Sequence, residues 1–228
     1  MKLISIIFAI LVLPACTTIS SVSRPASYQE EPIGLINETT LNDGDEKILS
    51  LLNYKVRLPK INRIAILRLN KDNRWRYYSN DFTLLNESIS SQFIDKLRSS
   101  KKVYDASFLP AMLTPGQASV PALREAAARF QADLLLTYRS LCNSYQRYKF
   151  VADDETKSYC SIEAILLDVR SGVIVKSVVS VENYSAVQNR DDTNFSETVK
   201  KAELEATAKA LGSVAVEVVS YLEDVPVL

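Results

Sequence analysis

Sorted by apolar and polar positions, the chain falls into a short apolar start, a polar passage, and a long remainder in which apolar residues recur with strand and helix periods. Residues Leu3 to Leu13 are apolar except for Ser5, a run shorter than the ~20 residues that a membrane-spanning helix requires. From Thr17 to Asp45 the chain is rich in Ser, Glu, Asn and Thr and is broken by Pro25, Pro32, Gly34 and Gly44. This composition predicts a tether over residues 16–45, a loose coil with an end-to-end distance on the order of 30 Å. Residues 46–228 then have the length of one good-sized domain.

Within that domain, Ile48, Leu49, Leu51 and Leu52 predict a short helix over Glu46–Tyr54. The continuous run Ile64-Ala65-Ile66-Leu67, inside Arg63–Leu69, suits a strand buried on both faces. Phe82, Leu85, Ile89, Phe93 and Leu97, spaced by three and four, mark an amphipathic helix. Lys101–Leu109 reads as a second strand, ended by Pro110. Ser119 is a candidate N-cap, with Pro121 in the first turn and Leu123, Ala127 and Phe130 on one face of a second helix. Ala132–Tyr138 opens a third strand, and strand–helix alternation at these lengths predicts parallel pairing with right-handed crossovers.

The pattern then turns to hairpins. Ser158–Val169 and Val173–Val187 are rich in β-branched residues and joined by Arg170-Ser171-Gly172, a turn with glycine where positive φ is needed. Asn194 with Glu197 forms a capping-box-like start to a long helix over Phe195–Leu222, with Leu204, Ala208, Leu211, Ala215, Val218 and Leu222 as its buried stripe. The expected fold class is α/β, a β-α-β-α-β-β-β-α mixed sheet with helices packed on it.

A positive residue, Lys2, an apolar middle and a small-residue exit give residues 1–15 the form of a secretory signal. The exit, Leu13-Pro14-Ala15-Cys16, resembles the bacterial lipobox, with Pro14 a less usual filler. The resemblance implies cleavage before Cys16 and a lipid anchor there: a diacylglyceryl thioether and, in many bacteria, an N-acyl chain such as palmitate. More than one acyl chain anchors stably where a single one does not. Thr17 stands where retention in the inner membrane typically uses Asp, which implies the outer membrane and a domain facing the periplasm. An ordinary signal cut after Ala15 is the alternative.

Charge and residue counts narrow the chemistry. Lys+Arg and Asp+Glu balance at 27 each, without the basic excess of a phosphate binder, so nucleic acid is not an expected partner. The chain has no histidine, the commonest general base, zinc ligand and pH switch, so Ser-His-Asp and Cys-His chemistry is excluded. No catalytic residue, metal ligand or cofactor is assigned, and an enzyme is not expected. Asp153-Asp154-Glu155 and Asp191-Asp192 lack the spacing of a calcium loop and read as solvated turns. Beyond Cys16, Cys142 and Cys160 are an even pair in a chain bound for an oxidising compartment. A hairpin centred near Val151 would oppose them, so a disulfide is expected. The rival is a reactive thiol, which no histidine or Cys-x-x-Cys is present to activate.

The element order and the phrase Ile165-Leu166-Leu167-Asp168-Val169-Arg170-Ser171-Gly172-Val173-Ile174-Val175 resemble the domain shared by curli-secretion lipoproteins, lipoprotein activators of penicillin-binding proteins and the N-terminal domain of the translocation protein TolB. Ala132-Asp133-Leu134-Leu135-Leu136-Thr137 is similar to the way those families open the preceding strand, and Ile64-Ala65-Ile66-Leu67 to their first strand. The resemblance spans residues 60–222 and implies a binder or assembly factor, with no active site to carry over. The segment between the cysteines is too polar for the membrane-crossing hairpins of a secretion pore, which need an apolar outward face.

Two aromatic-basic clusters remain: Arg74-Trp75-Arg76-Tyr77-Tyr78, and Tyr138, Arg139, Tyr145, Arg147 and Tyr148. Tyr, Trp and Arg dominate interface hot spots, and the rings also suit stacking on sugars. Segments 73–78 and 138–150 are therefore the candidate contact surface for an envelope protein, with Trp75, Tyr77, Arg147 and Tyr148 as binding residues. Exposed strand ends whose rings cover the sheet edge are the plainer alternative. A homo-oligomeric ring closing through sheet edges or the long helix is a second function class. A cell-wall hydrolase is a third, on which sequence is silent because its paired carboxylates are defined by separation in space.

Overall fold

The computed structural model describes Leu35 and residues 45–69, 80–150 and 152–227. In chain order these form α1 (Asp45–Asn53), β1 (Asn62–Arg68), α2 (Asn80–Arg98), β2 (Val103–Phe108), a 3-10 turn (Ala111–Leu113), α3 (Val120–Arg129), β3 (Leu134–Arg147), β4 (Glu155–Asp168), β5 (Ile174–Val187) and α4 (Phe195–Asp224). The class is the expected mixed α/β one, and after α1 the order is β-α-β-α-β-β-β-α. The expected signal segment and most of the tether, Cys16 included, lie outside the described residues.

The five strands lie in the order β2-β1-β3-β4-β5. β1 pairs in parallel with both β2 and β3, because helices carry the chain back between them. β3, β4 and β5 follow one another antiparallel. The run Ile64–Leu67 is buried on both faces for a physical reason. Ile64 and Ile66 point into a core with Phe93 and Leu97 of α2 and Leu211, Val214 and Val218 of α4. Ala65 and Leu67 point the other way, onto Leu123, Ala126 and Ala127 of α3. The layers are thus α2 and α4, the sheet, and α3.

Helix ends follow local chemistry. The Ser119 hydroxyl accepts the Ala122 N–H at 3.4 Å as the N-cap of α3, with Pro121 in the first turn. At α4, Asn194 accepts the Glu197 N–H at 3.2 Å. The returning bond differs from the expected box: the Glu197 carboxylate accepts the Thr193 N–H at 2.8 Å, one residue upstream of the cap. The buried surface of α4 departs from its expected stripe: Ala208 is only half-buried, while Val199, Ala202, Ala206, Ala210 and Val214 are added, since the helix packs on β4 and β5 and on α2 at once.

The residues that carried the family resemblance are structural. Asp133 Oδ2 accepts the Arg63 N–H at 2.9 Å, and its Oδ1 takes Arg170 at 2.7 Å. Asp168 is buried and closes the β4–β5 turn, accepting the Ser171 hydroxyl at 2.5 Å and the Ser171 N–H at 3.2 Å. Gly172 has φ +78°, and a Cβ there would sit 2.9 Å from Cδ of Arg124, whose Nε donates to the Val169 carbonyl at 2.9 Å.

Candidate functional site: the uncovered half of the sheet

The strands differ in length, and that decides where, among the described residues, one face of the sheet has no element over it. β3 and β4 have 14 residues each, yet β1 pairs only with Leu134–Tyr138. α3 covers the face above β1 and the near ends of β3 and β4, through Leu135 and Leu167. Beyond it the odd-numbered side chains of β3, β4 and β5 share one face, as strand alternation dictates, while the even-numbered ones pack against α4. On that face Tyr145 is 55% exposed, Val179 66% and Val181 62%.

Near the far end the face forms a trough of about 800 Å³, lined among others by Asn143, Tyr145, Arg147, Glu155, Lys157, Tyr159 and Val187. The Tyr145 and Tyr159 rings meet edge to face, centroids 5.9 Å apart at 86°. Lys157 Nζ lies 5.0 Å above the Tyr159 ring, a cation–π contact. Arg147 stands 3.8 Å from Glu155, which also bonds Lys149. The hydrogen bond from Lys149 holds the Glu155 carboxyl below its ordinary value, against the weaker opposing effect of desolvation. Nearer α3, Arg139 and Glu163 form an ion pair at 2.6 Å. Two tyrosine rings with cations beside them can take an apolar or planar group and hold it by hydrogen bonds at the rim.

On the opposite side of the same strands, Cys142 and Cys160 are directly paired and bonded as a disulfide, with Cα atoms 4.2 Å apart. Closing an 18-residue step, it contributes about 3 kcal/mol in the chain-entropy model. It fastens the root of the β3–β4 overhang behind the trough.

Strand alternation splits the aromatic-basic segment 138–150. Arg147 lines the trough. Tyr148 does not: its ring packs at 5.4 Å against Phe195 at the start of α4, and its hydroxyl donates to Gln146 Oε1 at 2.6 Å. Tyr138 is buried edge to face against Phe93 at 6.0 Å, and burial raises its phenol pKa. Trp75 and Tyr77 lie outside the described residues. Tyr159 and Lys157 join the site from β4, where no cluster in the sequence announces them. Reflecting Tyr145 through the hairpin centre at residue 151 gives Lys157, and reflecting Asn143 gives Tyr159.

Asp192 is also not the solvated acid that its sequence suggests. Its side chain is 3% exposed and bonds Lys201 at 2.6 Å and the Thr198 hydroxyl at 2.5 Å. Among the described residues there is no group of three or more Cys, Asp or Glu placed to hold a metal, and no helix long and apolar enough to cross a membrane.

No protein-family model matches the sequence, and no curated protein matches it. Solved structures with a similar chain course include a Caulobacter crescentus protein described as a lipoprotein, 14% identical with a TM-score of 0.38 over 70% of this chain and 90% of that one. A minor lipoprotein from Acinetobacter baumannii is 9% identical with a TM-score of 0.34, over 75% of this chain and 97% of its own. PelC from Paraburkholderia phytofirmans, a dodecamer, is 18% identical with a TM-score of 0.33, over 73% and 91%. At this level no residue role, ligand or assembly is transferred from them. The described residues define a class: a mixed α/β domain in which no described element covers the distal part of one sheet face.

Proposed function

We propose that this chain is a bacterial envelope lipoprotein, anchored through Cys16 in the outer membrane and facing the periplasm, that acts without catalysis as a binding or assembly factor for another envelope protein. The observation that carries the reading is the bare distal face with Tyr145, Arg147, Lys157 and Tyr159 gathered in one trough. Its mixture of aromatic rings, cations and exposed valines is the composition of an interface centre with a polar rim. The lipobox-like Leu13-Pro14-Ala15-Cys16 supports the location, and the residues behind the resemblance to curli-secretion and penicillin-binding-protein-activator lipoproteins support the accessory role.

The test is in-cell crosslinking of the full chain, followed by identification of what is captured. The triple substitution Tyr145→Ala, Arg147→Ala and Tyr159→Ala is expected to cut capture at least tenfold while leaving the melting temperature within a few degrees. Capture at the unsubstituted level would sink the trough as the contact surface. Cys16→Ser is expected to release the chain from the membrane fraction, and retention there would overturn the anchor.

A further inference from the structure

The two edges of the sheet are built differently. β2 has six residues, and its Asp105 is held between Arg63 at 3.0 Å and Arg98 at 2.5 Å, a short charged edge of the kind that resists pairing. β5 has 14 residues, free of proline and glycine, and its register with β4 shifts only at the turn end, between Leu166 and Leu167. Typical strands have about 5–6 residues, so this is a long, regular edge. Gln188 donates to the Asp154 carbonyl at 2.8 Å across the β4–β5 ladder. Alternation therefore turns the even-numbered backbone of β5 inward and the odd-numbered N–H and C=O groups, those of Ser177, Val179 and Val181, outward. Beside this row runs a groove of about 440 Å³ between β5 and α4, lined in part by Val179, Glu182, Ser213 and Glu217.

We propose that the β5 edge takes β5 of a second copy of this chain, antiparallel and centred on Val179. A two-fold axis at that point sets Val179 against its own counterpart, Ser177 against Val181, and Lys176 against Glu182, the last two pairs occurring twice. Lys176 and Glu182 lie on the α4 face, the same face as buried Val178. Directly opposed opposite charges favour a strand pair and like charges oppose it. The charge pattern selects one register. Centring on Ser180 would set Lys176 against Tyr184 and Glu182 against Val178, and centring on Val178 would set Glu182 against Ile174; neither opposes the charges. A foreign strand has no reason to carry this mirror pattern, whereas a second copy carries it by identity. The exposed valines 179 and 181 of both copies then merge into one bare face, doubling the sheet without covering either trough. This pairing stands apart from the partner reading above, since it uses the edge rather than the trough.

The test is cysteine crosslinking of the full chain in its native membrane, read on non-reducing gels against the unsubstituted chain. Val179→Cys is expected to give a dimer band. Ser177→Cys alone is expected to give none, and Ser177→Cys co-expressed with Val181→Cys is expected to give one. In the Val179→Cys background, Lys176→Glu and Glu182→Lys are each expected to weaken the band at least fivefold, and co-expressing the two is expected to restore it, because the mixed pair opposes unlike charges at both sites. Absence of the Val179→Cys band, as for a monomer or an edge occupied by another protein, overturns the proposal. A Ser177→Cys self-crosslink of equal strength overturns it as well, by showing another register.

Discussion

Gln131 is the non-glycine residue of the described chain that holds positive φ, at 57°. It stands just past α3, where the Ala132 N–H reaches the Ala127 carbonyl at 3.0 Å and its own N–H reaches Ala128 at 2.9 Å. That is a Schellman ending, whose left-handed residue is usually glycine because a Cβ costs about 1 kcal/mol there. The Gln131 side chain is exposed, so little is lost by removing it. Gln131→Gly is therefore expected to raise stability by about 0.5–1 kcal/mol, read as a higher urea midpoint at unchanged slope. A lower midpoint would show that its side chain matters after all. Gly172 is the converse case, since its φ of +78° and the packing of Arg124 over it leave no room for a side chain. Both positions shape the backbone at the end of an element.

At the scale of elements, the start of α4 is a charged joint. Burial pushes the Asp192 carboxyl up, but hydrogen bonds from Lys201 and Thr198 more than offset it and hold it below its ordinary 3.8. The Thr193 N–H, with Lys201 after it, holds Glu197 below 4.5, and the hydrogen bonds to Asp192 and then Glu197 raise Lys201 above 10.5. Depressed carboxyls contribute stability that is present above their unfolded values and lost as pH falls through the lowered folded ones; a raised lysine contributes stability present below 10.5 and lost above it. Lys201→Met is thus expected to cost about 1–2 kcal/mol at pH 7, the partly exposed lysine being discounted for solvent, and to flatten the fall in urea midpoint between about pH 5 and 3. An unchanged acid limb would refute this. Elements of this kind are legible in sequence when their pattern is local. Ile64–Leu67, the Ser119 cap, the Asn194 start and the Gly172 turn all show in neighbouring residues. The trough is not local: Tyr145 and Tyr159 are brought together by register, Tyr148 lies one residue past the end of β3 and packs on Phe195, and how much of the face is covered by described residues depends on how far α3 reaches.

At the scale of the whole molecule, the segment after α4 closes the core beside the residues that lead into β1 and β2. The Leu58 N–H bonds the Pro226 carbonyl at 3.2 Å, Lys102 Nζ reaches the carbonyls of Glu223 at 3.0 Å and Val225 at 3.1 Å, and Leu58 and Val225 are buried. Deleting residues 225–228 uncovers Leu58 and removes a buried valine and a backbone bond, so it is expected to cost about 2–4 kcal/mol and lower the melting temperature by on the order of 10 °C. A shift under about 2 °C would show the tail to be dispensable. The position of β1 has a further consequence, in time rather than in space. It precedes the other described strands in the chain, yet it sits inside the sheet, with Ile66 paired to Phe108 on one side and Leu136 on the other. A chain emerging N-terminus first holds that apolar run without its partners until β3 arrives, whereas β3, β4 and β5 can zip together as neighbouring hairpins. The nascent run Ile64–Leu67 is therefore left with one side unpaired while α2, β2 and α3 are made, and the arrival of β3 is what ends the wait.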